Sequence, residues 1–267
     1  MNLKHILIPA LLCIFSAIVN GDLTDVDYCS DDYTCSGHIH KYVLACNHNG
    51  AFDKRCPPNA EILTMTEELK KLFLHEHNYY RNEIAGGSED FRPAAAMATL
   101  EWDDELAYFA ELNVKQCKTL NEEEKCFKTA RYNALGQNIG WLFYTSIRDC
   151  SIIYNDIKHH IRKSWYGQHK HCKQAAINSY HQPGVQSIER FAKIVMDRNN
   201  RVGCAAVLFE DRYTVTVLFT CNYARRLFCG KPIFRSSRKP GSVCKTGKNP
   251  EYPSLCSTAE VFDPNYY

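Results

Sequence analysis

The 267-residue chain lacks the short signatures of the commoner catalytic and metal-binding classes. It contains no G-x-S-x-G and no Cys-Gly-[Ser or Ala]-Cys, so neither a nucleophile elbow nor a papain-like thiol site is written in it. No C-x-x-C pair occurs, which removes zinc knuckles and thioredoxin-type redox motifs. No N-x-[ST] sequon occurs either, so N-glycosylation is not expected. Charge of one sign is also missing: 32 Lys and Arg face 30 Asp and Glu, which leaves no electrostatic case for a nucleic-acid partner. No apolar run approaches the roughly 20 residues of a membrane-spanning helix.

What the chain does carry begins with Lys4 and His5, an apolar run from Ile6 to Val19, and Val19-Asn20-Gly21. That order is a secretory signal cleaved after Gly21. The expected product has 246 residues (267 minus 21) and a net charge of +1, from 31 Lys and Arg against 30 Asp and Glu. It is expected to be secreted, monomeric and free of any membrane span. Fourteen cysteines less Cys13 leave thirteen, which in an oxidising compartment form a disulfide framework with at least one thiol over. At 45% apolar residues the chain can build one large core with a smaller appendage.

Along the chain, residues 22–58 are polar, turn-rich and cysteine-rich, and need crosslinks to stay ordered. Thr64 and Glu67 predict a capping box before a helix that Gly86-Gly87 ends, with Leu69, Phe73, His77, Tyr80 and Ile84 on one face. A second helix carries Trp102, Leu106, Phe109, Ala110 and Cys117, with Asp103 and Asp104 in its first turn. A strand is expected over 138–144, helices over 148–165 and 187–195, and a hairpin over 202–209 and 213–222. Helices before strands without βαβ alternation give an α+β fold class. The main domain spans 59–224, and 225–267 form a cysteine-containing extension.

Five motifs then fall in order: His77-Asn78-x-x-Arg81-Asn82-x-Ile84-Ala85-Gly86-Gly87, Leu100-x-Trp102-Asp103-x-Glu105-Leu106-Ala107, Gly136-Gln137-Asn138-Ile139, Val202-Gly203-Cys204-Ala205-Ala206 and Cys221-Asn222-Tyr223-Ala224. In these the chain resembles the insect-type antigen 5-like branch of the cysteine-rich secretory, antigen 5 and pathogenesis-related (CAP) superfamily. The resemblance implies a three-layer α-β-α sandwich. It also implies the pairs Cys29 with Cys46, Cys35 with Cys126, Cys56 with Cys117, and Cys204 with Cys221. The last fits strands joined by a tight turn independently. Cys244 with Cys256 is expected for the tail. Cys150 and Cys172 fall near opposite ends of the third helix, about 25 Å or more apart at 1.5 Å per residue. Pairing Cys172 with Cys229 would then leave Cys150 as the spare.

Many superfamily members display two histidines and two glutamates around a central cavity, a set that can bind zinc. Carried over by position, that tetrad becomes His77, Gln137, Gln168 and Arg190. Glutamine carbonyls are weak neutral ligands and arginine offers no acceptor. Neither residue shuttles protons near neutral pH. No catalytic residue, metal or cofactor is therefore expected. The Arg190 guanidinium is expected to fill the metal's place, bonded to the Gln137 and Gln168 carbonyls.

His169, His171 and Cys172 read as a solvated loop rather than a metal clip. Lys231, Arg235, Arg238 and Lys239 read as a solvated basic stretch, with an acidic partner or glycosaminoglycan as the alternative. The expected function is a non-enzymatic binding or effector protein in an extracellular fluid, taking a protein partner or a small apolar or amine ligand such as a sterol or fatty acid. A zinc hydrolase is disfavoured by the substitutions. Ion-channel modulation is disfavoured because only Cys229, Cys244 and Cys256 follow the core.

Overall fold

A computed structural model describes residues 26–35, 42–118, 126–146, 149–181 and 186–266. The expected signal, 1–21, lies outside them. In chain order the elements are β1 (Glu61–Leu63), α1 (Glu67–Gly86), β2 (Glu101–Trp102), α2 (Asp104–Val114), β3 (Gly136–Tyr144), α3 (Cys150–His160), α4 (Gln174–Asn178), α5 (Glu189–Val195), β4 (Arg201–Glu210) and β5 (Val215–Tyr223). The sheet runs β1-β4-β5-β3, antiparallel throughout, with short β2 added parallel to β4. Helices α1, α3 and α5 cover one face and α2 the other, so the layers are α-β-α.

Local chemistry sets the element ends. Thr66, not Thr64, caps α1: its hydroxyl accepts the Leu69 amide at 3.2 Å, placing the cap one residue before Glu67. The helix stops where Gly87 turns to φ +88°, a backbone state that favours glycine, and its amide returns to the Ile84 carbonyl. Asp103 is the cap of α2 rather than part of its first turn, and its carboxylate accepts the Leu106 amide at 3.0 Å. Trp102 belongs to β2, and Cys117 lies beyond the helix end. α3 ends at His160, but the chain winds on through a π turn (Ile161–Trp165) and a 3-10 turn (Tyr166–His171).

The main core lies between the sheet and α1, α3 and α5. Leu69, Phe73, Ile153, Ile157, Ile161, Trp165, Phe191 and Phe219 are fully buried there. On the other face α2 packs so closely on β4 that a Cβ on Gly203 would stand 2.1 Å from the Ala107 amide nitrogen and 2.4 Å from the Asp103 carbonyl oxygen. Glycine is thus the residue that lets the two backbones meet.

Disulfides join Cys29 to Cys46, Cys35 to Cys126, Cys56 to Cys117, Cys204 to Cys221 and Cys244 to Cys256. The second and third fasten the amino-terminal segment to the α2 side, where Tyr28, Val43 and Ala45 pack with Phe109 and Leu112. Cys172 and Cys229 do not pair. Cys172 is a buried thiol and Cys229 an exposed one. Cys150 is disulfide-bonded in the full-length chain. The carboxy-terminal extension is strapped along 94–97 by backbone bonds from Ala95 to Arg235, Gly241 to Ala94 and Cys256 to Met97, and it buries Ile233, Phe234 and Leu255.

Candidate functional site

α1 presents His77, Asn78 and Arg81 to the interior, and each is consumed by structure. The Phe73 carbonyl can only accept, so His77 Nδ1 carries the proton that bonds it at 2.7 Å. Nε2 is left to accept from the Tyr223 hydroxyl at 2.8 Å. That hydroxyl in turn accepts from Asn138 Nδ2 at 3.1 Å, and the same amide nitrogen donates to the Arg190 carbonyl at 3.0 Å. The result is a directed relay, Asn138 to Tyr223 to His77 to Phe73, with no proton left to move. His77 is fully buried, and desolvation pulls its pKa down to about 4, so the ring is neutral at physiological pH.

Asn78 clamps the Leu100 peptide on both sides, Nδ2 to its carbonyl and Oδ1 from its amide. Arg81, also fully buried, gives all five guanidinium hydrogens to backbone carbonyls: two to Ala98, one each to Ile194, Met196 and Asn199. Burial lowers its pKa to about 9, which leaves it a cation at neutral pH.

The remaining positions of the carried-over tetrad do not converge on His77. Gln137 and its register partner Asn222 are bonded side chain to side chain at 2.8 Å, and Asn222 donates to the Leu106 carbonyl of α2. Because neighbours along a strand point to opposite faces, Gln137 faces α2 while Asn138 and Tyr223 face α1. Gln168 does meet Arg190, but through the backbone: its Oε1 accepts the Arg190 and Phe191 amides at 2.8 and 3.3 Å and so caps the start of α5. The Arg190 side chain is exposed, and its guanidinium bonds neither glutamine. The expected guanidinium bridge is therefore replaced by a backbone cap, because Gln137 is committed to the far side of the sheet.

Several groups escaped the sequence reading. Lys193 is buried, donates Nζ to the Gln137 carbonyl at 3.0 Å, and lies 3.4 Å from Glu189 one turn back. His160, at the end of α3, meets Phe219 and Trp165 edge-on with ring centroids 5.3 and 5.9 Å apart, and desolvation brings its pKa to about 4. A helix-face count places His160 near the core, but nothing in the sequence says which rings it meets. Asp103 and Glu105 are buried around Arg131, which bonds both at 2.8 Å, while Tyr132 bonds Asp103 at 2.6 Å. His169 is turned inward on Tyr166, bonded to its carbonyl and stacked on its ring. Among the described residues no three His, Cys, Asp or Glu side chains form a group able to hold a metal ion, and no helix is long and apolar enough to cross a membrane.

Comparison with known proteins places this architecture. The model of the CAP cysteine-rich secretory protein family matches residues 74–223. Venom allergen-1 of Aedes albopictus is 33% identical over 96% of this chain and 94% of its own length. The antigen 5 like allergen Cul n 1 of Culicoides nubeculosus is 33% identical over 76% and 90% respectively. Tabinhibitin 3 of Tabanus yao is 31% identical over 99% of both chains. Among solved structures, NaASP2 with Zn2+ superposes with a TM-score of 0.53 at 24% identity, covering 76% of this chain and all of that one. BmVAL-1 gives 0.57 at 19% over 76% and 98%. Both show the shared fold. With its α-β-α layers, its five described disulfides and these relatives, the chain belongs to the cysteine-rich secretory protein (CAP) family and is similar to insect venom allergen-1 and antigen 5-like proteins.

Proposed function

We propose that this protein is a secreted, non-enzymatic effector of an extracellular fluid, released after loss of residues 1–21, that acts by binding a protein partner or a small apolar or amine ligand. One observation carries the reading: His77, Asn78, Arg81, Gln137 and Gln168 are each bonded into the scaffold. His77 lies in a closed relay, Asn78 and Arg81 are saturated by carbonyls and an amide, and Gln137 and Gln168 bond Asn222 and the α5 amides. A general base needs a free lone pair in reach of substrate, and a zinc site needs several imidazole, thiolate or carboxylate donors converging. The five described disulfides suit an oxidising compartment, and the relatives' printed names, venom allergen and antigen 5 like allergen, suit release into a body fluid.

Elemental analysis and zinc calorimetry of the secreted protein, with native mass spectrometry for co-purified small molecules, test the reading. Sub-stoichiometric metal and no metal-dependent turnover are expected. A one-to-one zinc site abolished by His77→Ala, or a hydrolysis that requires the metal, would overturn it.

A further inference from the structure

Among the described residues β3 is an edge strand, and its outer side divides into two halves. In its antiparallel ladder with β5, alternate peptide groups point away from the sheet, and the outward set is fixed by two contacts. The Gln137 carbonyl accepts Lys193 Nζ and the Ile139 carbonyl accepts Trp165 Nε1. The next two outward residues are Trp141 and Phe143, whose outer backbone groups have no partner among the described residues. Their side chains share the α2 face and stack, with ring planes 7° apart and centroids 6.3 Å apart, and Phe209 meets Trp141 edge-on. Phe143 is 67% exposed. Residues 136–146 contain no charged residue and no proline, so two of the devices that usually blunt an exposed edge are missing.

From this geometry we infer that the β3 edge is a docking strand for a second copy of this chain, joined antiparallel about a two-fold axis at Leu142. Three constraints select that occupant and that register. An isologous contact must be self-complementary, and an uncharged strand opposes no like charges when paired with itself. Pairing about Leu142 sets Trp141 opposite Phe143 of the second copy and Phe143 opposite its Trp141, so the free outward peptides exchange four hydrogen bonds. A register centred on Trp141 would instead need the Ile139 carbonyl, which Trp165 already holds. Centring on Leu142 also gives two aromatic cross-strand pairs, a favourable combination in sheets. The pairing would merge two sheets into one continuous sheet, and it departs from the monomer expected from the sequence.

Sedimentation velocity over a concentration series from micromolar to near-millimolar tests this with the whole secreted protein. A reversible dimer is expected, abolished by Phe143→Lys, which sets two cations into the seam. The more conservative Phe143→Thr is expected to keep β3 and weaken the dimer at least tenfold. Unchanged circular dichroism and thermal unfolding of the monomer would show that both variants fold. A parent chain that stays monomeric across the series overturns the inference, and so does a dimer that both variants leave intact.

Discussion

Arg81→Met is the sharpest perturbation, because methionine keeps most of the apolar stem and removes every donor. The guanidinium serves four carbonyls on three segments: the loop before β2 (Ala98), the end of α5 (Ile194) and the turn into β4 (Met196 and Asn199). The Met196 carbonyl keeps a second partner in the Asn199 amide, so three carbonyls lose the hydrogen bond that satisfied them. A buried acceptor left unmatched costs about 1–3 kcal/mol. Losing a buried cation that has no carboxylate in bonding contact offsets part of that cost.

The net expected loss is about 4 kcal/mol, a large share of the roughly 5–15 kcal/mol that holds a typical domain together. For a chain of this size that is a fall in melting temperature of about 8–16 °C, read by calorimetry or near-UV circular dichroism with disulfides intact. Arg81→Lys retains the charge but radiates three donors from one point, so it cannot span three segments and should lose about half as much. A methionine variant melting within about 2 °C of the parent would refute the idea that this motif arginine is a structural rivet.

Three further outcomes follow from the same structure. His77 has a folded pKa of about 4 against 6.5 for the free side chain, so the unfolded chain takes up the proton first; the stability it contributes is complete above pH 6.5 and drains away between pH 6.5 and 4, by about 3 kcal/mol. Urea titrations at pH 7 and pH 4 should show that difference shrinking in His77→Gln. Gly203→Ala forces α2 off β4 and should cost about 3 kcal/mol, seen as an earlier urea midpoint; an unchanged midpoint would mean that the two backbones are not in contact. Cys229 should react with a thiol reagent in the native protein, whereas Cys172, buried and pushed up to about 12, should react only on unfolding.

Much of the scaffold was legible because it is periodic. The stripe from Leu69 to Ile84 announced α1 and put His77 inside, and the β-branched runs before and after residues 210–212 announced the hairpin. β1 and β2 were not legible: three and two residues long, they carry no alternation and exist only because β4 pairs them. The extension was equally opaque, since its backbone bonds reach 94–97, about 140 to 160 residues earlier in the sequence.

At the candidate site, sequence order misled for a geometric reason. Gln137 and Asn138 are neighbours, yet the pleat sends one to α2 and the other to His77. Gln168 and Arg190 do meet, but a side chain was expected to make the contact that a backbone amide makes. No count along the chain separates those two outcomes.

The crosslinks also govern how the molecule would respond to a protease. Cys35–Cys126 spans 91 residues and encloses the 61-residue span of Cys56–Cys117. A single cleavage anywhere between Cys35 and Cys126 therefore yields two pieces that still travel as one species until a reductant is added. Digestion followed only on non-reducing gels would score such a nicked protein as resistant.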